Sequence, residues 1–234
     1  AGTSSRFGAT KQAEKLGGVT LVQRAVQMAT RVCGSRVMTV IGHDAGNVLR
    51  CMHANSGFIV VNDAYQSGLG SSIAAAARAC PAQADALLLL LADQVLVTEG
   101  HLNALLNRWS GAPDEIVATA YAGTDGPPVL LPKATFADLR RLRGDSGARA
   151  LFQDPRFRLQ SVPFDDAAVD IDAPADLDAL AYVALHLGND GQGNGAWPTT
   201  TQVDTGRSVQ ATLQPGGGAL QLFHEAIASA DRPQ

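Results

Sequence analysis

The amino-acid sequence predicts an α/β protein with a doubly wound, mostly parallel sheet. Short apolar, β-branched segments alternate along the chain with segments whose apolar residues recur at helical spacing. The most apolar short segment, Ala86–Leu91, has the composition of a central strand that is buried on both faces. A polar loop and an aspartate directly follow two of the predicted strands. That is the sheet edge at which α/β folds bind their ligands.

The first half of the chain alternates helix and strand twice after an opening loop. In order, the predicted elements are the helix Val19–Val32, the strand Val37–Ile41, the helix Ala45–Met52 and the strand Phe58–Val61. The Thr20 hydroxyl suits the N-cap of the first helix, and Gly34 suits its end.

The second half continues the alternation. The predicted helices are Ile73–Ala79, His101–Trp109, Thr135–Leu142, a short one that ends near Phe152, and Ala175–Leu187. The predicted strands are Ala86–Leu91, Glu115–Tyr121, Val129–Leu131 and an edge strand over Arg158–Phe164. Gly123–Pro128 has the composition of a turn.

The composition changes after residue 187, which predicts three parts of the chain. Residues 1–187 form the α/β domain, and residues 188–218, rich in Gly, Asn, Thr and Gln, form a linker or loosely held segment. Residues 219–234 contain a last predicted helix, Ala219–Ala230. We expect this helix to pack on the domain or on a second subunit.

Composition also excludes several classes of function. A net charge of −4 argues against general nucleic-acid binding, which needs a basic surface. The longest aliphatic run, Ala86–Ala92, is far shorter than the roughly 20 residues of a membrane span. Cys33, Cys51 and Cys80 are odd in number and widely spaced, which favours free thiols over disulfides or a zinc site. These features predict a cytoplasmic protein.

The opening stretch from Ala1 to Lys11 has the composition of a polyphosphate-binding loop. Glycines allow close backbone approach and free N–H groups, and Arg6 and Lys11 supply two cations. The alternative is a solvated chain terminus. Such a loop normally follows the first strand of an α/β domain, at the centre of the sheet, and that strand is missing before Ala1; either it lies outside the printed sequence or the molecule lacks it.

Two further polar features follow predicted strands. The loop Asn62–Ser72 opens into a helix and is either a ligand-binding loop or a plain connection. Asp93 follows the predicted central strand, where a carboxylate suits Mg²⁺. The alternative is that Asp93 is the N-cap of the next helix, but Thr98 already suits that position.

Other nucleotide and hydrolase signatures are missing from the sequence. It contains no GxGxxG dinucleotide fingerprint, no GxxxxGK[ST] phosphate loop and no GxSxG nucleophile elbow. The five histidines have no evident Ser or Cys partner, so they fit surface or helix positions better than catalytic ones.

Six short motifs occur in order along the chain. They are AGxSxRxGxxK from Ala1 to Lys11 with Gly17-Gly18, Asn62 to Gly68 with Ser71 and Ser72, Asp93-Gln94, Gly126-x-Pro128, Gly144 to Arg149, and Asp170-Ile171-Asp172-x-Pro174. Together they resemble the motifs of the MobA-like nucleotidyltransferases, most closely those of the group that handles the molybdenum cofactor. The resemblance covers residues 1–187 and implies a Rossmann-like nucleotidyltransferase fold. Ala1 stands where the pattern of GTP-using members has glycine, which points to CTP.

The resemblance implies a transfer of CMP from CTP to a phosphorylated acceptor, foremost molybdopterin, with release of pyrophosphate. Arg6 and Lys11 would be catalytic, and Asp93 and Asp172 would bind Mg²⁺. The nucleotide-binding set would comprise Ala1, Gly2, Ser4, Ser5, Arg6, Gly8, Lys11, Asn62, Gly68, Ser71 and Asp93. Gly126–Pro128 and Gly144–Arg149 would shape the pterin side, and a molybdoenzyme or its maturation factor is a candidate partner.

Three alternatives stay open at this point. The chain could use GTP, or it could transfer a nucleotidyl group to a sugar or isoprenoid phosphate. It could also bind nucleotides without catalysis.

Overall fold

The computed structural model describes residues 10–53, 57–178 and 180, together with the backbone of three short strands nearer the C-terminus. It confirms the α/β class.

The described chain begins with a 3₁₀ turn, Lys11–Ala13, and a small hairpin of β1 (Lys15–Leu16) and β2 (Val19–Thr20). Helix α1 (Leu21–Cys33) follows, and the Thr20 hydroxyl accepts a hydrogen bond from the backbone N–H of Gln23. The helix ends at Gly34, whose positive φ of 61° suits glycine. Both predicted helix signals are confirmed.

A two-stranded parallel sheet comes next. It consists of β3 (Met38–Ile41) and β4 (Phe58–Val61), with helix α2 (Ala45–Arg50) between them in the chain. Helix α3 (Leu69–Ala79) starts four residues before the predicted Ile73. The sequence predicts a later start because Gly68 and Gly70 have the composition of a loop. Strand β5 (Ala86–Leu89) and helix α4 (Glu99–Arg108) complete the predicted order, and Thr98 caps α4.

The larger sheet has four strands in the order β5-β7-β6-β8 and is mixed in direction. Strand β6 (Glu115–Tyr121) pairs in parallel with the edge strand β8 (Arg158–Pro163). Strand β7 (Thr124–Pro132) runs antiparallel to both β5 and β6. The predicted turn Gly123–Pro128 is therefore wrong over most of its length. Ala122 and Gly123, both at positive φ, make the whole turn.

Helices cover both faces of the sheets. On one face, Ile73 and Ala77 of α3 share an apolar cluster with Leu87 and Leu89 of β5. Helix α5 (Phe136–Leu139) joins this cluster and is shorter than the predicted Thr135–Leu142. On the other face, Leu102 and Leu105 of α4 pack with Met28 and Val32 of α1. This is the predicted doubly wound arrangement.

The C-terminal part of the chain corrects one prediction. Strand β11 (Leu220–His224) pairs with β10 (Val209–Leu213), which pairs with β9 (Val203–Asp204), in an antiparallel sheet. The helix predicted over Ala219–Ala230 is therefore wrong at these five residues; Leu220, Gln221 and Leu222 alternate as a strand requires. Residues 174–178 form helix α6, which begins one residue before the predicted helix Ala175–Leu187. Residue 180 is also helical, and residue 179 and those from 181 lie outside the described residues.

Among the described residues, no helix is long and apolar enough to cross a membrane.

Candidate functional site

A lysine ammonium lies between two carboxylates at the carboxyl end of β5. Lys11 Nζ is 2.8 Å from Asp93 Oδ2 and 3.2 Å from Asp172 Oδ1. We call these three residues the charged corner. Asp93 follows strand β5, and Asp172 precedes helix α6. The structure therefore brings the predicted phosphate-binding lysine into contact with both predicted metal ligands.

Hydrogen bonds fix the backbone of the two acidic segments. The N–H of Ile171 donates to the carbonyl of Asp93 at 3.2 Å, which ties the two acidic segments together. Asp176 Oδ2 accepts hydrogen bonds from the N–H groups of Asp172 and Ala173, both at 2.8 Å. An acidic side chain at the start of a helix is favourable because it satisfies free N–H groups.

Gln94 joins a third segment to the corner. Its side-chain amide donates to the carbonyl of Pro127 at 2.9 Å and to that of Ala167 at 2.8 Å. The predicted Asp93-Gln94 and Gly126-x-Pro128 motifs are thereby in direct contact. A Cβ on Gly126 would lie against the Tyr121 hydroxyl, so a larger residue there would require the Tyr121 side chain to move.

The charges of the corner compensate one another only in part. Burial alone would lower the pKa of Lys11, but hydrogen bonds and attraction from Asp93 and Asp172 raise it above its ordinary value. Lys11 is therefore a permanent cation. Loss of hydration, followed by repulsion from Asp93, raises the pKa of Asp170 to about 6. Asp170 thus adds a third carboxyl group to the electrostatic surroundings of Lys11.

Asp93 and Asp172 are the residues of the corner that could hold a divalent cation. The side chains of Asp93 and Asp172 are 31% and 63% exposed, so one side of the corner is open to solvent. Within the described part of the chain, no three His, Cys, Asp or Glu side chains form a metal cage. Mg²⁺ does not need such a cage of protein ligands, since it is commonly held by one or two carboxylates together with substrate phosphates.

The predicted nucleotide-binding residues of the second loop bond to each other. The Asn62 side-chain amide donates to the hydroxyls of Ser71, at 2.8 Å, and Ser72, at 3.0 Å. Its oxygen accepts the N–H of Ala64, and the Ser71 hydroxyl donates to the carbonyl of Gly68. Asn62 is only 4% exposed. We call this group the amide cluster; it fixes the loop at the start of α3.

The same loop touches the predicted Gly144–Arg149 segment. A Cβ on Gly68 would lie 2.4 Å from Asp145 Oδ1, and one on Gly70 would lie 2.7 Å from the carbonyl of Ser146. The backbones of the two segments can approach this closely only because both positions are glycine. Asn62–Ser72 and Gly144–Arg149 therefore form one continuous surface.

Most of the predicted phosphate loop cannot be compared with the structure. The predicted residues Ala1, Gly2, Ser4, Ser5, Arg6 and Gly8 lie outside the described residues. Their roles stay predictions.

Two contributors to the site have no signal in the sequence. The Thr10 hydroxyl donates to Asp44 Oδ2 at 2.6 Å. This bond connects the turn that carries Lys11 to the loop after β3. Buried His101 contacts Thr119 at 2.8 Å, and the Thr119 hydroxyl donates to the carbonyl of Pro128 at 2.6 Å. The single hydrogen of the Thr119 hydroxyl is donated to Pro128, so this hydroxyl must accept its other hydrogen bond from the Nε2–H of His101. We call this chain of contacts the histidine relay.

Known proteins resemble this chain in sequence and in fold. It is 30% identical over 119 residues to the purine catabolism protein PucB of Bacillus subtilis, and this match spans 49% of our chain and 57% of that protein. A crystal structure of the homologue of Mycobacterium tuberculosis Rv0371c from Mycobacterium sp. strain JC1 superposes with a TM-score of 0.69 and 29% identity. It covers 80% of our chain and 94% of that one.

A structure of Rv0371c from M. tuberculosis in complex with manganese shows the same fold at 23% identity and a TM-score of 0.62. It covers 74% of our chain and 91% of that chain. The family model of the MobA-like NTP transferase domain matches residues 1–162. Since this is well over half of the sequence, the chain belongs to the MobA-like NTP transferase family.

Proposed function

We propose that the protein is a Mg²⁺-dependent cytidylyltransferase that moves CMP from CTP to a phosphorylated acceptor, foremost molybdopterin. The observation that carries the proposal is the charged corner, in which one permanent cation and two partly exposed carboxylates converge. Family membership supports nucleotidyl transfer in general. The choice of CTP and of molybdopterin rests on the sequence motifs.

The reaction needs no protein nucleophile. A terminal phosphate oxygen of the acceptor forms a bond to the α-phosphorus of CTP. The bond from that phosphorus to its bridging oxygen breaks, and pyrophosphate leaves with the electron pair. Catalysis then consists of positioning and of charge stabilisation around the reacting phosphates.

Asp93 and Asp172 would hold the metal ion, whose contribution is to neutralise phosphate charge. The Lys11 ammonium would pair with phosphate oxygens of the nucleotide. Arg6 would act beside Lys11 on the charge that develops on the leaving pyrophosphate. Ala1, Gly2, Ser4, Ser5 and Gly8 would surround the triphosphate with backbone N–H and hydroxyl groups.

The amide cluster would contribute to recognition of the base or ribose in a specific way. Because Asn62 and Ser71 already bond to each other, we expect them to present the backbone of Gly68 and its neighbours rather than their own side chains. The adjoining Gly144–Arg149 segment would face the acceptor. A molybdoenzyme or its maturation factor would receive the product.

Pyrophosphate release, measured with each of the four nucleoside triphosphates and with molybdopterin and Mg²⁺, tests the proposal. We expect release with CTP and molybdopterin at a rate at least about 10-fold above the other nucleotides. Release with GTP alone would overturn the choice of nucleotide, and release with only a sugar or isoprenoid phosphate would overturn the choice of acceptor. Nucleotide binding without turnover would make the protein a non-catalytic member of the family.

A metal series separates the ion from the fold. EDTA should abolish release, and Mg²⁺ or Mn²⁺ should restore it without a change in circular dichroism. Full activity in EDTA would exclude the metal role of Asp93 and Asp172.

A further inference from the structure

Strand β4 (Phe58–Val61) has one unpaired side, which we call the open edge. Within the described residues, β4 pairs only with β3, just as β8 pairs only with β6. The unpaired side of such a strand presents backbone N–H and C=O groups that can pair with another chain unless the protein prevents it. The two strands differ in this respect.

Strand β8 carries the residues that proteins use to prevent edge pairing. It begins with the charged Arg158, whose guanidinium lies 2.9 Å from an oxygen of Asp114, and it ends with Pro163, which has no N–H. Gln160 and Ser161 make its centre polar. These residues disfavour association of β8 with a second chain.

The open edge has none of these features. Its sequence is Phe-Ile-Val-Val, without a charge, a proline or a polar side chain. Phe58 is 62% exposed and Val61 is 56% exposed, more than any other large apolar side chain of the described residues. An exposed apolar edge of this kind is a site of association between chains.

Two residues of the open edge direct their backbone groups away from β3. The N–H groups of Phe58 and Asn62 donate to carbonyls of the β3 segment, both at 2.8 Å. Because the direction of these groups alternates along a strand, Ile59 and Val61 turn their N–H and C=O groups outward. The open edge therefore offers two donors and two acceptors, placed symmetrically about Val60.

A second copy of the same edge fits this arrangement when it runs antiparallel. With a two-fold axis at Val60, Ile59 of each copy lies opposite Val61 of the other, and each of these two pairs exchanges two hydrogen bonds. Val60 lies opposite its own copy, in the non-hydrogen-bonded pair between them. All four outward donors and all four outward acceptors of the two copies are then used.

Charges at the two ends of the open edge also complement each other in this arrangement. Exposed Asp63 follows the carboxyl end of β4. Exposed Arg36 lies at the amino end, since it precedes Val37, whose carbonyl accepts the N–H of Phe58. Antiparallel pairing brings the carboxyl end of each β4 to the amino end of the other, so opposite charges approach. Parallel pairing would bring like charges together.

We propose that the open edge is a dimer interface, in which the β4 strands of two copies of this chain pair antiparallel about Val60. The β3–β4 sheets of the two copies then form one sheet, and the apolar side chains of Ile59, Val60 and Val61 cover one another across the axis. Because a four-residue strand buries less area than a permanent interface, we expect the dimer to dissociate in the micromolar range. The proposal does not depend on cytidylyl transfer.

A cysteine on the two-fold axis tests the register. Cα atoms of a non-hydrogen-bonded pair lie about 4.5 Å apart, which a disulfide can span, so Val60→Cys should form a covalent dimer under mild oxidation. Phe58→Cys is the matched control, because two residues 58 would lie about 14 Å apart although Phe58 is highly exposed. The unsubstituted chain accounts for Cys33, Cys51 and Cys80. Equal cross-linking of both variants, or none in Val60→Cys, overturns the register.

A proline at an outward position tests the hydrogen bonds. Val61→Pro removes an N–H that points away from β3, so the β3–β4 hydrogen bonds stay intact. Two of the four hydrogen bonds of the dimer are lost, and sedimentation over a concentration series should show dimerisation weakened at least about 10-fold. Val61→Thr keeps the N–H and the β-branched shape and should still dimerise. A monomer at every concentration in the original chain, or unchanged dimerisation in folded Val61→Pro, overturns the proposal.

Amide hydrogen exchange in the original chain distinguishes a second copy from a segment of the same chain, and it needs no variant to fold. Protection of the Ile59 and Val61 N–H groups should increase with protein concentration. The N–H of Phe58, which is bonded within the chain, should be protected equally at all concentrations. Concentration-independent protection of Ile59 and Val61 would assign the open edge to cover within one chain and overturn the proposal.

Discussion

The charged corner and the amide cluster lie at the carboxyl ends of different strands but are built in opposite ways. In the corner, Lys11 faces two carboxylates that remain partly exposed. In the amide cluster, Asn62 is buried, and its amide and oxygen are bonded to Ser71, Ser72 and Ala64. The histidine relay belongs to the second kind.

The difference indicates a division of labour. Closed networks of neutral hydrogen bonds stabilise one conformation, and leaving one of their members unpaired is costly. An open group of charges can exchange partners when a charged ligand arrives. We therefore expect substitutions in the corner to change activity, and substitutions in the two neutral networks to change stability.

Replacement of Asp93 should have the largest effect. We expect Asp93→Ala to lower the rate of pyrophosphate release by at least about 100-fold, as for a lost metal ligand, and to leave the thermal unfolding temperature within a few degrees. Asp93→Asn keeps the shape and serves as the matched variant with the same expected loss. A near-normal rate in either variant would remove Asp93 from the mechanism.

Replacement of Asn62 should have the opposite signature. Asn62→Ala leaves two buried hydroxyls and one N–H without their partner, so we expect a loss of about 2 kcal/mol in the free energy of unfolding by urea. Gln66→Ala removes an exposed amide from the same loop and should cost less than about 0.5 kcal/mol. Unchanged stability with a raised KM for CTP would instead make Asn62 a residue that contacts the nucleotide.

The histidine relay predicts a dependence of stability on pH. Burial lowers the pKa of His101 to about 4, whereas its value in the unfolded chain is about 6.5. Between these values the unfolded chain binds a proton that the folded chain does not. Stability should therefore fall as the pH drops from 6.5 to 4, by up to about 1.4 kcal/mol per pH unit.

Urea titrations at pH 7 and pH 5 check this dependence. His101→Gln should flatten it, because a glutamine amide donates to Thr119 without titrating in this range. Equal pH dependence in both proteins would show that His101 is accessible to protons in the folded state.

Replacement of Thr10 should have the smallest effect and lies between the two classes. Thr10→Val removes the hydroxyl that holds the Lys11 turn to Asp44, so we expect a rate loss of about 10-fold or less through poorer placement of the ammonium. The hydrogen bond from Thr10 also lowers the pKa of Asp44, and the variant should raise it toward its ordinary value. NMR titration of Asp44 measures this; an unchanged pKa would contradict the contact.

Local patterns were sufficient to predict most of the fold. Helical spacing and caps located α1 and α4, and short β-branched runs located β3 and β4. The β6–β7 connection was not predicted correctly because glycine and proline dominate Gly123–Pro128. Two residues at positive φ, Ala122 and Gly123, are enough to reverse the chain there.

The candidate site was predictable only as far as strand ends determine it. Asp93 follows β5, which the sequence predicts as central but which lies at the end of the described four-stranded order, and Asp172 precedes a helix, so both could be assigned to one edge of the sheet. The contact between Thr10 and Asp44 spans 34 residues, and no local pattern encodes it. The bond between Asn62 and Ser71 was also missed, because a polar loop residue in a sequence does not reveal whether its partner is a ligand or the protein.

The adjacent positions of Thr10 and Lys11 make the site sensitive to the length of the chain. The Thr10 side chain contacts Asp44 after β3, and the Lys11 side chain contacts Asp93 after β5. The two consecutive residues therefore bridge the ends of the two strands. Deleting a single residue just after Lys11 would shift both residues by one position relative to the hairpin. The Thr10 hydroxyl would then lie at Asp93, where the Lys11 ammonium is needed. Homologues should therefore tolerate insertions and deletions elsewhere in their loops but keep an invariant spacing from this pair to the hairpin that follows.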